Sequence, residues 1–115
     1  MLMSREEWGG VWLICVDGRP VGYIVLTWGF SLEFGGRDAI VDELYLEASH
    51  RGKGLGQQAL AFAETVCQTQ NIQALHLEVD RDNHQAQAFY DRVGFEKRAN
   101  YFLMSKRLGP VNGNR

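Results

Sequence analysis

Apolar residues follow two different periods along this chain. In residues 11–16 (VWLICV) and 21–28 (VGYIVLTW), β-branched and aromatic side chains crowd into short runs around Asp17, Gly18, Arg19 and Pro20. Two such runs around a turn signal predict a β-hairpin. A loop over residues 29–37, carrying Phe30, Glu33 and Phe34, separates them from a third strand at 38–46. The period then changes. Leu55, Ala59, Phe62, Ala63 and Val66 recur at helical spacing and predict a helix reaching about Gln70. Alternation returns over 74–79, with Leu75, Leu77 and Val79 on one face and His76 and Glu78 on the other. Asp82 or Asn83 can cap a second helix with the stripe Ala86, Phe89, Tyr90 and Val93, which Gly94 ends. Residues 95–98 and 101–106 are expected to form a closing pair of strands.

The order β-β-β-α-β-α-β-β describes an α/β (α+β) domain built on a mixed, mostly antiparallel sheet. That domain is expected over 11–107, after a polar segment at 1–10 and before a flexible tail at 108–115. The chain has 115 residues, enough for one domain with a real core, and its 45% apolar and 23% charged residues are ordinary for a globular protein. A formal net charge of −2 argues against a dedicated nucleic-acid binder. No apolar run approaches the roughly 18 residues of a membrane span. The acidic N-terminus does not fit a signal peptide, so a cytoplasmic compartment is expected. Cys15 and Cys67 sit far apart, in a predicted strand and a predicted helix. They are expected to be buried reduced thiols, with neither a disulfide nor a metal.

The stretch His50-Arg51-Gly52-Lys53-Gly54-Leu55-Gly56 lies between the third strand and the first helix. A glycine-rich turn entering a helix leaves several backbone N–H groups unpaired at the positive end of the helix dipole, which attracts phosphate. Glycines let the backbone approach the anion, and Arg51 and Lys53 add charge. A Walker loop would need Ser or Thr after Lys53-Gly54, where Leu55 stands, and a Rossmann fingerprint matches poorly.

With its flanking strand and helix, the stretch from Leu44 to Gly56 closely resembles the acetyl-CoA-binding motif of the GNAT superfamily of N-acetyltransferases. A second motif, Asn83-x-x-Ala86-x-x-Phe89-Tyr90-x-x-x-Gly94-Phe95, resembles the other hallmark of that family. The resemblance covers roughly residues 11–106. It lacks the first strand and first helices of the family, which normally form part of the acceptor wall.

The resemblance implies an enzyme that moves an acetyl group from acetyl-CoA to a primary amine by direct attack, without a metal. It places the cofactor on Leu44, Tyr45, Leu46, Arg51, Gly52, Lys53, Gly54, Leu55, Gly56 and Gln57, with Asn83 and Tyr90 from the second motif. Tyr90 corresponds to the general acid of the family; a core tyrosine is the alternative. Asn83 equally suits an N-cap. For the base, Glu78 matches the glutamate of ribosomal-protein N-terminal acetyltransferases. Asp42 and Glu43, expected on opposite strand faces, match the adjacent acids of polyamine acetyltransferases. His76 shares a face with Glu78 and could tune it, whereas His50 and His84 flank the cofactor elements and His50 reads as an exposed loop histidine. Trp28, Phe30 and Phe34 suit an acceptor pocket, a core or a dimer contact. The acceptor is expected to be a small-molecule or peptide amine. The exposed edge at 11–16 predicts a homodimer. A different class of function, a non-catalytic acetyl-CoA-binding regulatory or interaction module, fits the same motifs.

Overall fold

The computed structural model describes residues 8–31, 35–98 and 104–109. Three long strands, β1 (Gly9–Val16), β2 (Arg19–Ser31) and β3 (Gly36–Leu46), form an antiparallel meander. A 3₁₀ turn (Ala48–His50) leads into α1 (Leu55–Thr69), which returns the chain to β4 (Ala74–His76), paired parallel to β3. The sheet order is β1-β2-β3-β4, and α2 (His84–Arg92) follows. This is the mixed, mostly antiparallel architecture expected from the sequence.

Alternation decides which face is covered. Trp12 and Ile14 of β1, Ile24 and Leu26 of β2 and Val41 of β3 are buried against Ala59, Leu60 and Ala63 of α1. Phe89, Tyr90 and Val93 of α2 and Phe95 beyond it pack around this cluster. The other face carries Tyr23, Val25, Glu43 and Tyr45 and has no helix over it among the described residues. Gly22 is needed where β2 meets the end of β3, because a Cβ there would collide with the Tyr45 carbonyl oxygen.

Several elements differ from expectation. β2 and β3 run through most of the expected 29–37 loop, since cross-strand pairing continues as far as Ser31↔Gly36; Glu33 and Phe34 lie outside the described residues. β1 begins inside the segment expected to precede the domain. β4 ends at His76, so residues 77–79 leave the sheet although their side chains still alternate. Residues 95–98 and 104–106 have no strand pairing, and 99–103 lie outside the described residues, as does the tail from 110. Cys67 is buried as expected. Cys15 is exposed, because it follows inward-facing Ile14 and sits where the β1–β2 register slips. Burial pushes the Cys67 thiol up from its usual pKa, with Glu64 adding to the shift.

Candidate functional site

The site begins where β3 ends. The Glu47 N–H donates to the Val21 carbonyl at 2.8 Å, and the His50 and Arg51 N–H groups close the 3₁₀ turn onto Glu47 and Ala48. After Arg51 the backbone bonds stop. The N–H groups of Gly52, Lys53, Gly54, Leu55, Gly56 and Gln57 have no acceptor among the described residues, while the Gly54 carbonyl accepts from Gln58 at 3.1 Å. Gly52 (φ 74) and Gly54 (φ 84) adopt the left-handed conformation that lets the turn enter α1. A Cβ at either would meet nothing within 4 Å, so the approach to these amides is open. The residues present therefore fit a pyrophosphate, with the exposed Lys53 beside them.

Arg51 is placed differently from expectation. Its N–H is spent on Ala48, and its Nε donates to the Leu46 carbonyl at 2.9 Å. Its guanidinium lies 5.9 Å from the Tyr45 ring centroid. In this arrangement it ties the turn to the end of β3. His50 is half-buried and also serves the turn, with Nδ1 3.0 Å from Ser49 Oγ and 3.8 Å from Glu47.

Beside the turn runs an open strand edge. β4 pairs with β3 only through Asp38, Ala39 and Ile40, so residues 41–46 have no strand on that side among the described residues. Leu44 and Leu46 face the core side and Tyr45 the open face, leaving backbone donors and acceptors along the edge. At this edge the β2–β3 register slips: Val25 pairs with Glu43 and Leu26 with Val41, leaving Asp42 as the extra residue. The bulge breaks strict alternation, so Asp42 and Glu43 are both exposed rather than one pointing into the core. Glu43 accepts the Tyr23 hydroxyl at 2.7 Å. That hydrogen bond is the main reason the Tyr23 phenol pKa is raised.

The second motif lies on α2. Asn83 Oδ1 accepts the Ala86 N–H at 3.0 Å and so acts as an N-cap. Gln87 Nε2 donates to the carbonyls of Asp80 and Arg81, both at 2.9 Å, and clamps the loop before the helix. Phe89 turns toward the site: a Cβ on Gly56 would lie 3.7 Å from its ring and 4.0 Å from a Leu46 methyl. It thus brings α2 against the start of α1 and the end of β3. Tyr90 is half-buried between Phe89 and Phe95, with ring centroids 5.2 and 5.8 Å away. Its hydroxyl has no hydrogen bond among the described residues, and burial raises its pKa.

Tyr90 lines a cleft of about 980 Å³ together with Leu77, Val79, Ala88 and Phe95. Glu78 is exposed and does not line it, so the structure does not bring this acid and Tyr90 into one cleft. His76 Nε2 on β4 lies 3.2 Å from Asp38 Oδ2 on the neighbouring β3. Trp28 packs on the core, 6.5 Å from Trp12, whereas Phe30 is exposed. Among the described residues there is no cluster of three His, Cys, Asp or Glu that could hold a metal, and no helix long and apolar enough to cross a membrane. Tyr23 and Phe89 are the neighbours of the site that sequence reasoning did not single out. Phe89 was visible only as a position of the apolar stripe and of the second motif, and Tyr23 only as one residue of the second predicted strand.

Comparison with known proteins gives a consistent result. Residues 2–95 match the acetyltransferase (GNAT) family. An uncharacterised N-acetyltransferase of Methanocaldococcus jannaschii is 29% identical over 112 residues, covering 93% of this chain and 49% of that protein. The chain thus spans about half the length of that relative. Among solved structures, an integron cassette protein from the mobile metagenome of Cole Harbour Salt Marsh shares 37% identity at a TM-score of 0.78, covering 92% of this chain and 64% of the other. The ribosomal-protein-alanine N-acetyltransferase of Brucella melitensis biovar Abortus is similar in fold, at 19% identity and a TM-score of 0.72 over 89% of this chain and 74% of the other.

Proposed function

We propose that this chain, which belongs to the acetyltransferase (GNAT) family, binds acetyl-CoA along the open edge of β3 and passes its acetyl group to a primary amine. One observation carries this reading. The unpaired amides from Gly52 to Gln57 follow the strand edge left open at residues 41–46 after a single 3₁₀ turn, giving an anion cradle close in sequence to a pairing edge. The amides and Lys53 suit the pyrophosphate. The backbone of Leu44, Tyr45 and Leu46 suits the pantetheine amides, which would add to the sheet as a strand does. Asn83 keeps its Nδ2 group available for the same ligand while Oδ1 caps α2.

Bound acetyl-CoA supplies the acyl group as a thioester already activated toward amines, so direct attack in a ternary complex suffices. The protein handles protons and position. A primary amine at neutral pH is mostly ammonium and must first lose a proton to a carboxylate. Glu78, two residues beyond β4, and Asp42 and Glu43 on β3 are the exposed acids considered for this role. A backbone N–H near Leu46 donates to the carbonyl oxygen as negative charge gathers there. The Tyr90 hydroxyl, kept protonated by burial, gives its proton to the departing sulfur.

Calorimetry with acetyl-CoA, and CoA release against a panel of amines for wild type and Tyr90→Phe, test this reading. Binding with turnover that collapses in the variant supports it. Binding without turnover on any amine would assign the chain to non-catalytic acetyl-CoA sensing, and no binding would make the glycine turn structural. We also propose that the outer edge of β1, unpaired among the described residues, pairs two copies into a homodimer. Light scattering that returns a monomer at all concentrations would rule that out.

A further inference from the structure

Two arginines stand near the open amides of the glycine turn, in opposite situations. Arg51 is spent, with its Nε on the Leu46 carbonyl and its guanidinium over Tyr45. Arg92 is the last residue of α2, and its guanidinium lies 5.7 Å from the centroid of the Phe89 ring one turn earlier. Stacking uses one face of the planar group and leaves its five N–H donors free in the plane. None of them has a hydrogen bond or an ion pair among the described residues.

The usual structural roles of such an arginine are already filled. A cation in the last turn of a helix can serve its unpaired carbonyls. Here the backbone does so, since the N–H groups of Val93, Gly94 and Phe95 donate to the carbonyls of Phe89, Asp91 and Tyr90. Asp91, the adjacent acid, lines the cleft beside Tyr90, and side chains at successive helix positions do not face each other. The neighbour that Arg92 does have is the glycine turn. A Cβ on Gly56 would lie 3.7 Å from the Phe89 ring, and the Gly56 N–H is one of the unpaired amides. One aromatic ring thus separates an uncommitted guanidinium from the start of α1.

Coenzyme A carries a pyrophosphate and a 3′-phosphate, and an arginine fork is the side chain best matched to a phosphate. We propose that Arg92, held in place by Phe89, makes the arginine contact to the phosphates of the donor, the role that the spent guanidinium of Arg51 leaves open. This rests on the acetyl-CoA reading of the site and adds a residue to it. Arg92 occupies an unspecified position of the second motif, so the family resemblance assigns it nothing. The two motifs then meet on one ligand at both of its ends, with Tyr90 at the thioester and Arg92 at the phosphates.

Calorimetry with acetyl-CoA tests the assignment on wild type, Arg92→Gln, Arg92→Lys and Arg37→Gln, each at about 0.05 M and about 0.5 M salt. Arg92 is exposed, so its variants should fold as wild type does. Arg37, at the far end of β3 with its guanidinium on the Gln70 carbonyl, controls for the loss of one positive charge. Arg92→Gln is expected to weaken binding about tenfold at the lower salt and about threefold or less at the higher, where screening removes what a charge contributes. Arg92→Lys keeps the charge and gives up the fork, and should lose about threefold at the lower salt. Arg37→Gln should stay within about twofold of wild type. The same titrations with 3′-dephospho-acetyl-CoA name the phosphate. An Arg92→Gln loss that persists belongs to the pyrophosphate, and one that vanishes belongs to the 3′-phosphate. A loss no larger than that of Arg37→Gln overturns the proposal. An equal loss at both salts also overturns it, because an arginine that only supports the fold would behave that way. Wild type that fails to bind acetyl-CoA at all would instead strike the acetyl-CoA reading, and this assignment with it.

Discussion

Replacing Tyr90 with Phe removes one oxygen atom and leaves the ring packing against Phe89 and Phe95 in place. The hydroxyl has no hydrogen bond among the described residues, so its loss forfeits no bond and can relieve a half-buried polar atom. Stability should therefore stay within about 0.5 kcal/mol of wild type, a shift of about 2–3 °C in thermal midpoint. Turnover should behave quite differently. A positioned general acid contributes about 10²–10⁴-fold, and a thiol, with a reference pKa near 8.5, leaves without a proton more readily than an alcohol. The loss should thus sit at the lower end, about 10²-fold or ~2.7 kcal/mol of barrier. CoA release at saturating amine, beside a circular dichroism melt of both proteins, reads the two quantities independently.

The pH dependence adds a signed expectation. Burial raises the Tyr90 phenol above its usual 10.0, so the acid form is complete through neutral pH and its supply falls only as pH rises beyond that value. Stability follows the same direction. A group whose folded pKa exceeds its unfolded pKa stabilises fully below the unfolded value, and that contribution disappears as pH rises through the folded one. Tyr90→Phe should therefore lack both the alkaline decline of turnover and this part of the alkaline loss of stability. Turnover within about threefold of wild type would refute the role of general acid. A stability loss above about 1.5 kcal/mol would show that the hydroxyl has a bonded partner after all.

Gly54→Ala places a side chain at φ 84, where no neighbour lies within 4 Å, so the melt should report only the left-handed penalty of about 1–2 kcal/mol. That penalty is carried by the free and the bound protein alike, so any fall in acetyl-CoA affinity read by calorimetry reports the methyl obstructing the amides; a fall is expected, and unchanged affinity would refute the cradle. Asn83→Ala should cost about 1 kcal/mol by removing the cap on Ala86, whereas Asn83→Ser keeps a capping oxygen and loses the Nδ2 donor without adding charge. Weaker acetyl-CoA binding by the Ser variant would support a contact between Nδ2 and the ligand, and equal binding would reduce Asn83 to a cap. Exposed Cys15 should react quickly with a thiol-alkylating reagent while buried Cys67 is protected until the chain unfolds, as peptide mapping after a timed pulse would reveal. Equal rates for the two thiols would contradict the packing of α1 on the sheet.

Much of this site was legible because its parts are local. Period-two runs around Asp17 and Gly18 announced the hairpin, and helical spacing from Leu55 to Val66 announced α1. The glycines at 52 and 54 announced a turn that only left-handed backbone can make. Even the exposure of Cys15 was available from its place after inward-facing Ile14, though its residue type suggested burial. What the sequence did not disclose depends on how distant segments register. The bulge at Asp42 exists only relative to β2, and the Tyr23–Glu43 bond joins residues 20 positions apart. The early end of β4 was hidden because side chains at 77–79 alternate whether or not the backbone pairs. Arg51 read as a charge for the anion, yet the acceptor of its Nε is a carbonyl on the preceding strand.

The features of the site, legible or not, have a common physical consequence. An unbroken β3–β4 ladder would spend the backbone groups of residues 41–46 on each other, and a continued helical bond pattern would spend the amides of 52–57. Ending β4 at His76 leaves the strand edge open, and entering α1 through left-handed glycines leaves the amides open. The bulge at Asp42 then turns two neighbouring carboxylates outward beside that edge instead of sending one into the core. Capacity for a ligand thus arises where regular pairing stops, and the buried cluster of Trp12, Ile24, Leu26, Leu60 and Ala63 is what lets the fold tolerate stopping there.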